Sequence, residues 1–289
     1  MATTASAHSL ISTALELKAF LSSIPPSSTL YVDLEGNNLS RHGTVSLITI
    51  LVHPQGVVRV IDVLVLRDLA FTTTSISGKT LKGVFEDPDM PKCAWDVRND
   101  ADALWAHYHV KLAGVTDIQL LENASRASDK KYVHGLDNSV QFDLKLGFKE
   151  AKRWSQTKKD IRSLMSANVF ATRPIDTKTV QYCINDVIHL PNLHHLYLKR
   201  IDRDWLTKAM EESTRRVADA YSPGFDPQSP TKKLGPWGSG AKPTMTLDEM
   251  LEESEEKRME DLERDIFGFG DDLDDYFGEE EEPEDDWFQ

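Results

Sequence analysis

Between positions 8 and 24 apolar residues recur at helical spacing. Leu10, Ile11, Leu15, Leu17, Phe20 and Leu21 would share one face, and Pro25-Pro26 ends the run. The pattern then changes period. Three runs, Thr29 to Leu34, Thr44 to Val52 and Val57 to Leu64, follow one another across short turns containing Gly or Pro, which predicts an antiparallel meander. A helix over Leu81 to Phe85, a fourth strand over Lys92 to Val97, a helix over Asp100 to Tyr108 and a fifth strand over Gly114 to Ile118 come next. Beyond them the signals are helical: two or three short helices with many basic residues in 135–170, then one long helix from Ile175 to Lys199 behind Pro174. Strands first, with interleaved and trailing helices, predict one α/β domain with a mixed sheet over residues 8–220.

Composition changes near Ser222, where SPGFDPQSPTKKLGPWGSGAKP reads as a linker. Within 221–289, Leu247 to Ile266 is predicted as an acidic helix, and the end, DDLDDYFGEEEEPEDDWFQ, as a disordered acidic tail. The formal charge of −14 is uneven: 22 acidic and 6 basic residues lie from Tyr221 onward, leaving 25 acidic and 27 basic before it. The first 220 residues can therefore hold a polyanion, and the tail cannot. Three readings of the tail stand side by side: a solubilising end, a docking segment for a protein partner through Tyr276-Phe277 and Trp287-Phe288, and a nucleic-acid mimic folding back on the domain.

The longest apolar run, Val45 to Val52, is interrupted by Ser46 and Thr49 and is far short of the roughly 18 residues that span a bilayer, so no membrane segment is expected. MATTASAHSL carries neither the apolar core of a secretory signal nor the arginines of a mitochondrial presequence, and cytosol or nucleus is the expected compartment. Cys93 and Cys183, each in an apolar stretch, read as buried thiols.

Three segments carry candidate chemistry. In YVDLEG, Asp33 and Glu35 lie two apart on a strand, so both carboxylates face one side of the sheet. Two acids on one face repel unless a cation sits between them, and hard oxygen ligands favour magnesium or manganese over zinc. In YCINDVIHL, Tyr182 and Asp186 stack on one helix face. In WDVRNDADALWAHY, a strand runs into a helix through a turn bearing Asp96, Asp100 and Asp102, where helix capping accounts for one acid as readily as catalysis does.

In that order, with Leu104 four residues after Asp100, these segments resemble the DEDDy group of 3′-to-5′ exonucleases, the family of ribonuclease D and the Werner-syndrome exonuclease domain. The resemblance covers roughly residues 8–200. It implies a ribonuclease-H-like fold with a mixed five-stranded sheet, flanked by helices. It also implies two magnesium or manganese ions held by Asp33, Glu35, Asp100 and Asp186, with Asp33 bridging both and Tyr182 orienting the attacking water. The implied reaction releases nucleoside 5′-monophosphates from the 3′ end of a single strand, RNA or DNA. Polymerase-type members carry Asn where this chain has Asp96, which raises a question about substrate contacts.

Leu39 falls where family members place an apolar wedge against the terminal base; the alternative is a loop leucine returning to the core. Lys145, Lys149, Lys152, Arg153, Lys158, Lys159 and Arg162 lie between the second and third segments and offer a track for a phosphate backbone, with Lys152, Arg153 and Lys158 the chosen substrate contacts. Trp154 among them stacks a base or belongs to the core. Two other functions compete: a scaffold of the same fold that binds RNA or protein without cutting, and a phosphatase or nucleotidase for small substrates.

Overall fold

A computed structural model of the chain describes residues 9–238, apart from 128, 166 and 167, together with 258 and 259. The chain divides into two units, Met1–Ser239 and Gly240–Gln289. Most of the second unit, including the acidic helix and tail, lies outside the described residues.

Among the described residues, six strands form one mixed sheet in the order β1-β4-β3-β2-β5-β6. They are β1 (Leu10–Ile11), β2 (Thr29–Glu35), β3 (Leu47–His53), β4 (Val57–Asp62), β5 (Lys92–Ala94) and β6 (Val115–Asp117). The expected meander is there: β2 pairs antiparallel with β3 and β3 with β4, while β5 joins β2, β6 joins β5 and β1 joins β4 in parallel. Thus the five expected strands are accompanied by a two-residue sixth at the edge.

The helices are α1 (Ala14–Ser23), α2 (Val63–Leu66), α3 (Leu69–Thr72), α4 (Leu81–Glu86), α5 (Arg98–Tyr108), α6 (Ile118–Ser125), α7 (Leu136–Asp143), α8 (Phe148–Arg162), α9 (Thr177–Ile188), α10 (Leu190–Arg200) and α11 (Arg203–Ala220). Several expectations need correcting here. The first helix does not begin at residue 8: Leu10 and Ile11 are strand, and Thr13 then starts α1 with a capping box, its hydroxyl accepting from Glu16 N while Glu16 accepts from Thr13 N. The third strand of the meander stops at Asp62, whose carboxylate accepts from Val65 N and caps α2. The long helix from Ile175 to Lys199 is two helices that meet at His189, because Pro191 supplies no N–H to carry the ladder across.

Strand alternation sorts the core. Leu30, Val32 and Leu34 of β2 face a cluster with Leu17, Phe20 and Leu21 of α1, Leu81, Val84 and Phe85 of α4 and Leu104 of α5. Tyr31, on the other face, joins Val180, Tyr182, Cys183 and Ile184 of α9, Leu193 and Tyr197 of α10, and Ile118 and Leu121 of α6. Asp33 and Glu35 share the face of Tyr31, so the period of the strand aims both carboxylates at α9.

The expected linker after Tyr221 is docked on the domain as far as the described residues run. Arg41 Nη2 donates to the carbonyls of Ala220 and Ser222, each at 2.8 Å, and Gln228 Nε2 donates to Asn38 Oδ1 at 2.9 Å. A 3-10 turn, Pro230–Lys233, leads to Leu234, which bridges to Tyr132. Gly235 N donates to Lys131 O at 2.7 Å, and a side chain at Gly235 would meet Lys130 O at 2.0 Å. Pro, Gly and Ser made the stretch read as a linker; here Gly235 serves a close backbone approach.

Candidate active site

Three carboxylates converge. Asp33, Glu35 and Asp186 each offer an oxygen, and these atoms lie within 4.8 Å of one another. The first two come from the end of β2, after which Gly36 lets the chain turn in: a side chain there would overlap Thr44 O at 1.8 Å. Asp186 comes from α9, which packs across β2, β3 and β4.

Burial and mutual repulsion make the cluster costly as anions. Desolvation, then Asp186, lifts the Asp33 carboxyl from its usual 3.8 to about 8. Glu35 is pushed well above its ordinary value by burial, then by Asp33 and Asp186, and burial also raises Asp186. Asp33 Oδ2 is buried without a hydrogen-bond partner. An orphaned carboxylate oxygen beside two more hard donors fits a divalent cation.

Lys158 lies in the same place. The sequence offered it as a contact for the phosphate backbone, and the residue is buried on α8: its Nζ pairs with Asp186 Oδ1, stands 3.7 Å from Asp137 Oδ1 and lies 4.5 Å from the centre of the Tyr182 ring. Burial lowers its pKa, Asp186 and Asp137 raise it more, and the net shift is upward, so the side chain stays an ammonium. Trp154, one turn earlier, is core: its Nε1 donates to Asn185 O at 3.3 Å and ties α8 to the residue before Asp186. Tyr182 is buried, and desolvation with the nearby Asp186, Glu35 and Asp33 charges pushes its pKa far up, keeping a phenol proton to donate.

Asp100 stands outside the three-oxygen cluster. It is buried at the head of α5, where burial, then the Asp33 charge, raises its pKa well above normal. The neighbouring acids have other work. Asp96 chelates its neighbour Arg98, which donates from Nε at 2.5 Å and Nη2 at 2.7 Å; Asp102 accepts from Arg41 Nε at 2.6 Å and Arg41 N at 2.7 Å. None of the three caps α5, whose N-cap is Val97. Asp96 also has φ +60, which turns the chain out of the sheet and ends β5 at Ala94, three residues before the expected end. The departure at Asp96 is thus an ion pair that shapes the turn.

The other expected contacts lie on the loop after β2 and on α8. Leu39 is half-buried and packs against the α1–α4 core cluster. Lys152 and Arg153 are exposed on α8. Cys93 and Cys183 are buried and unbridged. Sequence reasoning missed Arg98, Asn99, Asp117, Arg216 and Lys232 around the Asp100 turn; their contacts join positions far apart in the chain, and no local spacing announces them. No helix among the described residues is long and apolar enough to cross a membrane.

A fold with an antiparallel meander, parallel flanking strands, half-buried acids on β2 and buried ones on α5 and α9 defines a class, and the comparisons agree with it. Residues 9–202 match the 3′-5′ exonuclease family model, and the chain belongs to that family. Its fold is that of RNase D. The Trypanosoma brucei RNase D complex with GMP aligns with a TM-score of 0.59 at 19% identity over 74% of this chain and 64% of that one. The same enzyme's complex with RNA U12 gives 0.58 at 19% over 84% and 77%, and Escherichia coli RNase D gives 0.54 at 17% over 74% and 50%. The chain thus spans between half and about three quarters of these enzymes' lengths. No curated protein sequence matches it.

Proposed function

We propose that this protein is a metal-dependent 3′-to-5′ exonuclease that releases nucleoside 5′-monophosphates from single-stranded nucleic acid. The observation that carries the reading is the convergence of Asp33, Glu35 and Asp186 oxygens within 4.8 Å, with Asp33 Oδ2 unpartnered, in a domain of the exonuclease family. Bound GMP and RNA in the T. brucei enzyme are consistent with such a substrate and product.

Asp33, Glu35 and Asp186 would hold one magnesium or manganese ion, with Asp33 and Asp100 serving a second. Two such ions lower the pKa of a bound water and stabilise charge on the entering and leaving oxygens of an in-line displacement. Tyr182 keeps its proton and orients the attacking water. Lys158, an ammonium beside Asp186, is placed to donate to a phosphate oxygen once the carboxylate turns to another cation. Lys152 and Arg153 would follow the backbone of the incoming strand, and the exposed Phe148 ring, 6.0 Å from Lys152 Nζ, gives a base a surface to stack on.

The ion pair between Lys158 and Asp186 also supports the scaffold alternative, because a lysine there competes with a metal for Asp186. One assay separates the two. Purified protein is incubated with 5′-labelled RNA or DNA oligonucleotides and magnesium or manganese, beside Asp33→Ala. A ladder shortening from the 3′ end, lost with EDTA and with the substitution, is expected; intact oligonucleotides with binding retained would establish the scaffold.

A further inference from the structure

The helix that carries Asp100 begins without a cap of its own. Val97 at its N-cap has no side-chain acceptor, so the orphan N–H groups of its first turn and the two residues before it depend on outside groups. On one side Asp117 takes the N–H of Asp96 at 3.0 Å and of Val97 at 3.2 Å, and is itself held by Arg216 Nη1 at 2.7 Å. On the other side the turn is met by the segment after Tyr221. Lys232 Nζ donates to Asn99 Oδ1 at 2.5 Å and to Pro227 O at 3.2 Å, and Arg98 Nη2 donates to Lys232 O at 2.9 Å. Asn99 and Arg98 are the two residues before Asp100.

We propose that Lys232 is a positioning residue for the exonuclease site, supplied from outside the matched region 9–202, which fixes Asn99 and thereby the first turn of α5 so that Asp100 points at the Asp33 carboxylate. The inference rests on the reading of Asp100 as an acid of the metal site.

Three observations support it. The ammonium is chelated by a side-chain amide and by a carbonyl of its own segment, so it is a fixed strut. The segment is anchored at both ends, by Arg41 on the carbonyls of Ala220, Ser222 and Pro223 and by Gly235 on Lys131. It also touches the loop after Glu35 through Gln228 and Asn38. A cation near a second-ion acid does not itself bind the ion; its effect is on where the carboxylate sits, and a misplacement of about 1 Å is enough to lower turnover on the order of 100-fold.

The test uses the full chain with Lys232→Ala, Lys232→Arg, Asn99→Ala and the Lys232→Ala/Asn99→Ala double variant, with Asp33→Ala as reference. Lys232 lines a cavity of about 570 Å³, so arginine has room. Lys232→Ala is expected to lower kcat about tenfold or more with little change in KM. Mn2+ titration followed by electron paramagnetic resonance, without substrate, should show the weaker of two binding events weakened further. Lys232→Arg should restore most of both, and the double variant should be no worse than the worse single one. Unchanged kcat and Mn2+ binding in Lys232→Ala would overturn the proposal, as would a loss explained by a lower Tm that arginine does not rescue. If Asp33→Ala keeps full activity, the site reading itself fails, whatever Lys232 does.

Discussion

The two ends of the carboxylate site are built on different principles. Around Asp186, a lysine on α8 pairs directly with the carboxylate, and the clustered acids come from one helix and one strand. Around Asp100, the cations avoid the acid: Arg98 serves Asp96, Arg216 serves Asp117, and Lys232 holds Asn99. The first end has its own positive charge and can fold with it in place; the second keeps a buried carboxyl free by occupying its neighbours. A site can therefore be neutralised at one end and held open at the other.

The sharpest way to break this comparison is to remove the acid common to both ends. Asp33→Ala should reduce nucleotide release on the order of 1,000-fold or more with magnesium or manganese, measured as single-nucleotide product against wild type. Next in size, Lys158→Met leaves Asp186 buried and unpaired. The metal-free protein should lose about 3–5 kcal/mol of stability in denaturant unfolding, with part of the loss restored by magnesium. An equal loss with and without magnesium would mean that Lys158 and the cation do not share Asp186. Tyr182→Phe should lower kcat on the order of 100-fold while leaving Tm nearly unchanged, because only the phenolic hydroxyl is removed.

A smaller effect concerns pH. Asp33 titrates at about 8 when folded, against an ordinary 3.8, so between those values the folded chain holds a proton that the unfolded chain has lost. Metal-free stability should accordingly fall as pH rises through this window, and the stabilisation given by magnesium should grow over the same range. Thermal unfolding at pH 6 and pH 8.5 measures both, and Asp33→Asn should flatten the first slope. Smallest of all, Lys152→Ala with Arg153→Ala should raise KM several-fold and reduce its salt dependence, without changing kcat on short oligonucleotides.

The sequence made the first end legible and most of the second illegible, for a physical reason. Asp33 and Glu35 two apart on a strand, and Tyr182 and Asp186 four apart on a helix, declare a shared face through local geometry, and the meander and the fourth and fifth strands follow from period and turns. Lys158 was singled out, with Lys152 and Arg153, from seven basic residues as a substrate contact, but its pairing with Asp186 was not legible, since its burial depends on how α8 lies on α9. Lys232 and Asn99 are 133 positions apart, and the lysine sits in a stretch whose Pro and Gly content imitates a linker. The helix break at His189 was signalled by Pro191, which an otherwise continuous apolar pattern concealed.

The buried ammonium of Lys158 bears, finally, on the order in which a working molecule is assembled. A nest of carboxylates with no resident cation would oppose chain collapse until an ion arrived, and metal supply would limit folding. With Lys158 against Asp186, the polypeptide can reach its native packing first and take up its ions afterwards. Chelation should then act as a reversible off-switch: EDTA stops turnover while leaving the near-ultraviolet circular dichroism intact, and fresh magnesium restores activity without a refolding lag.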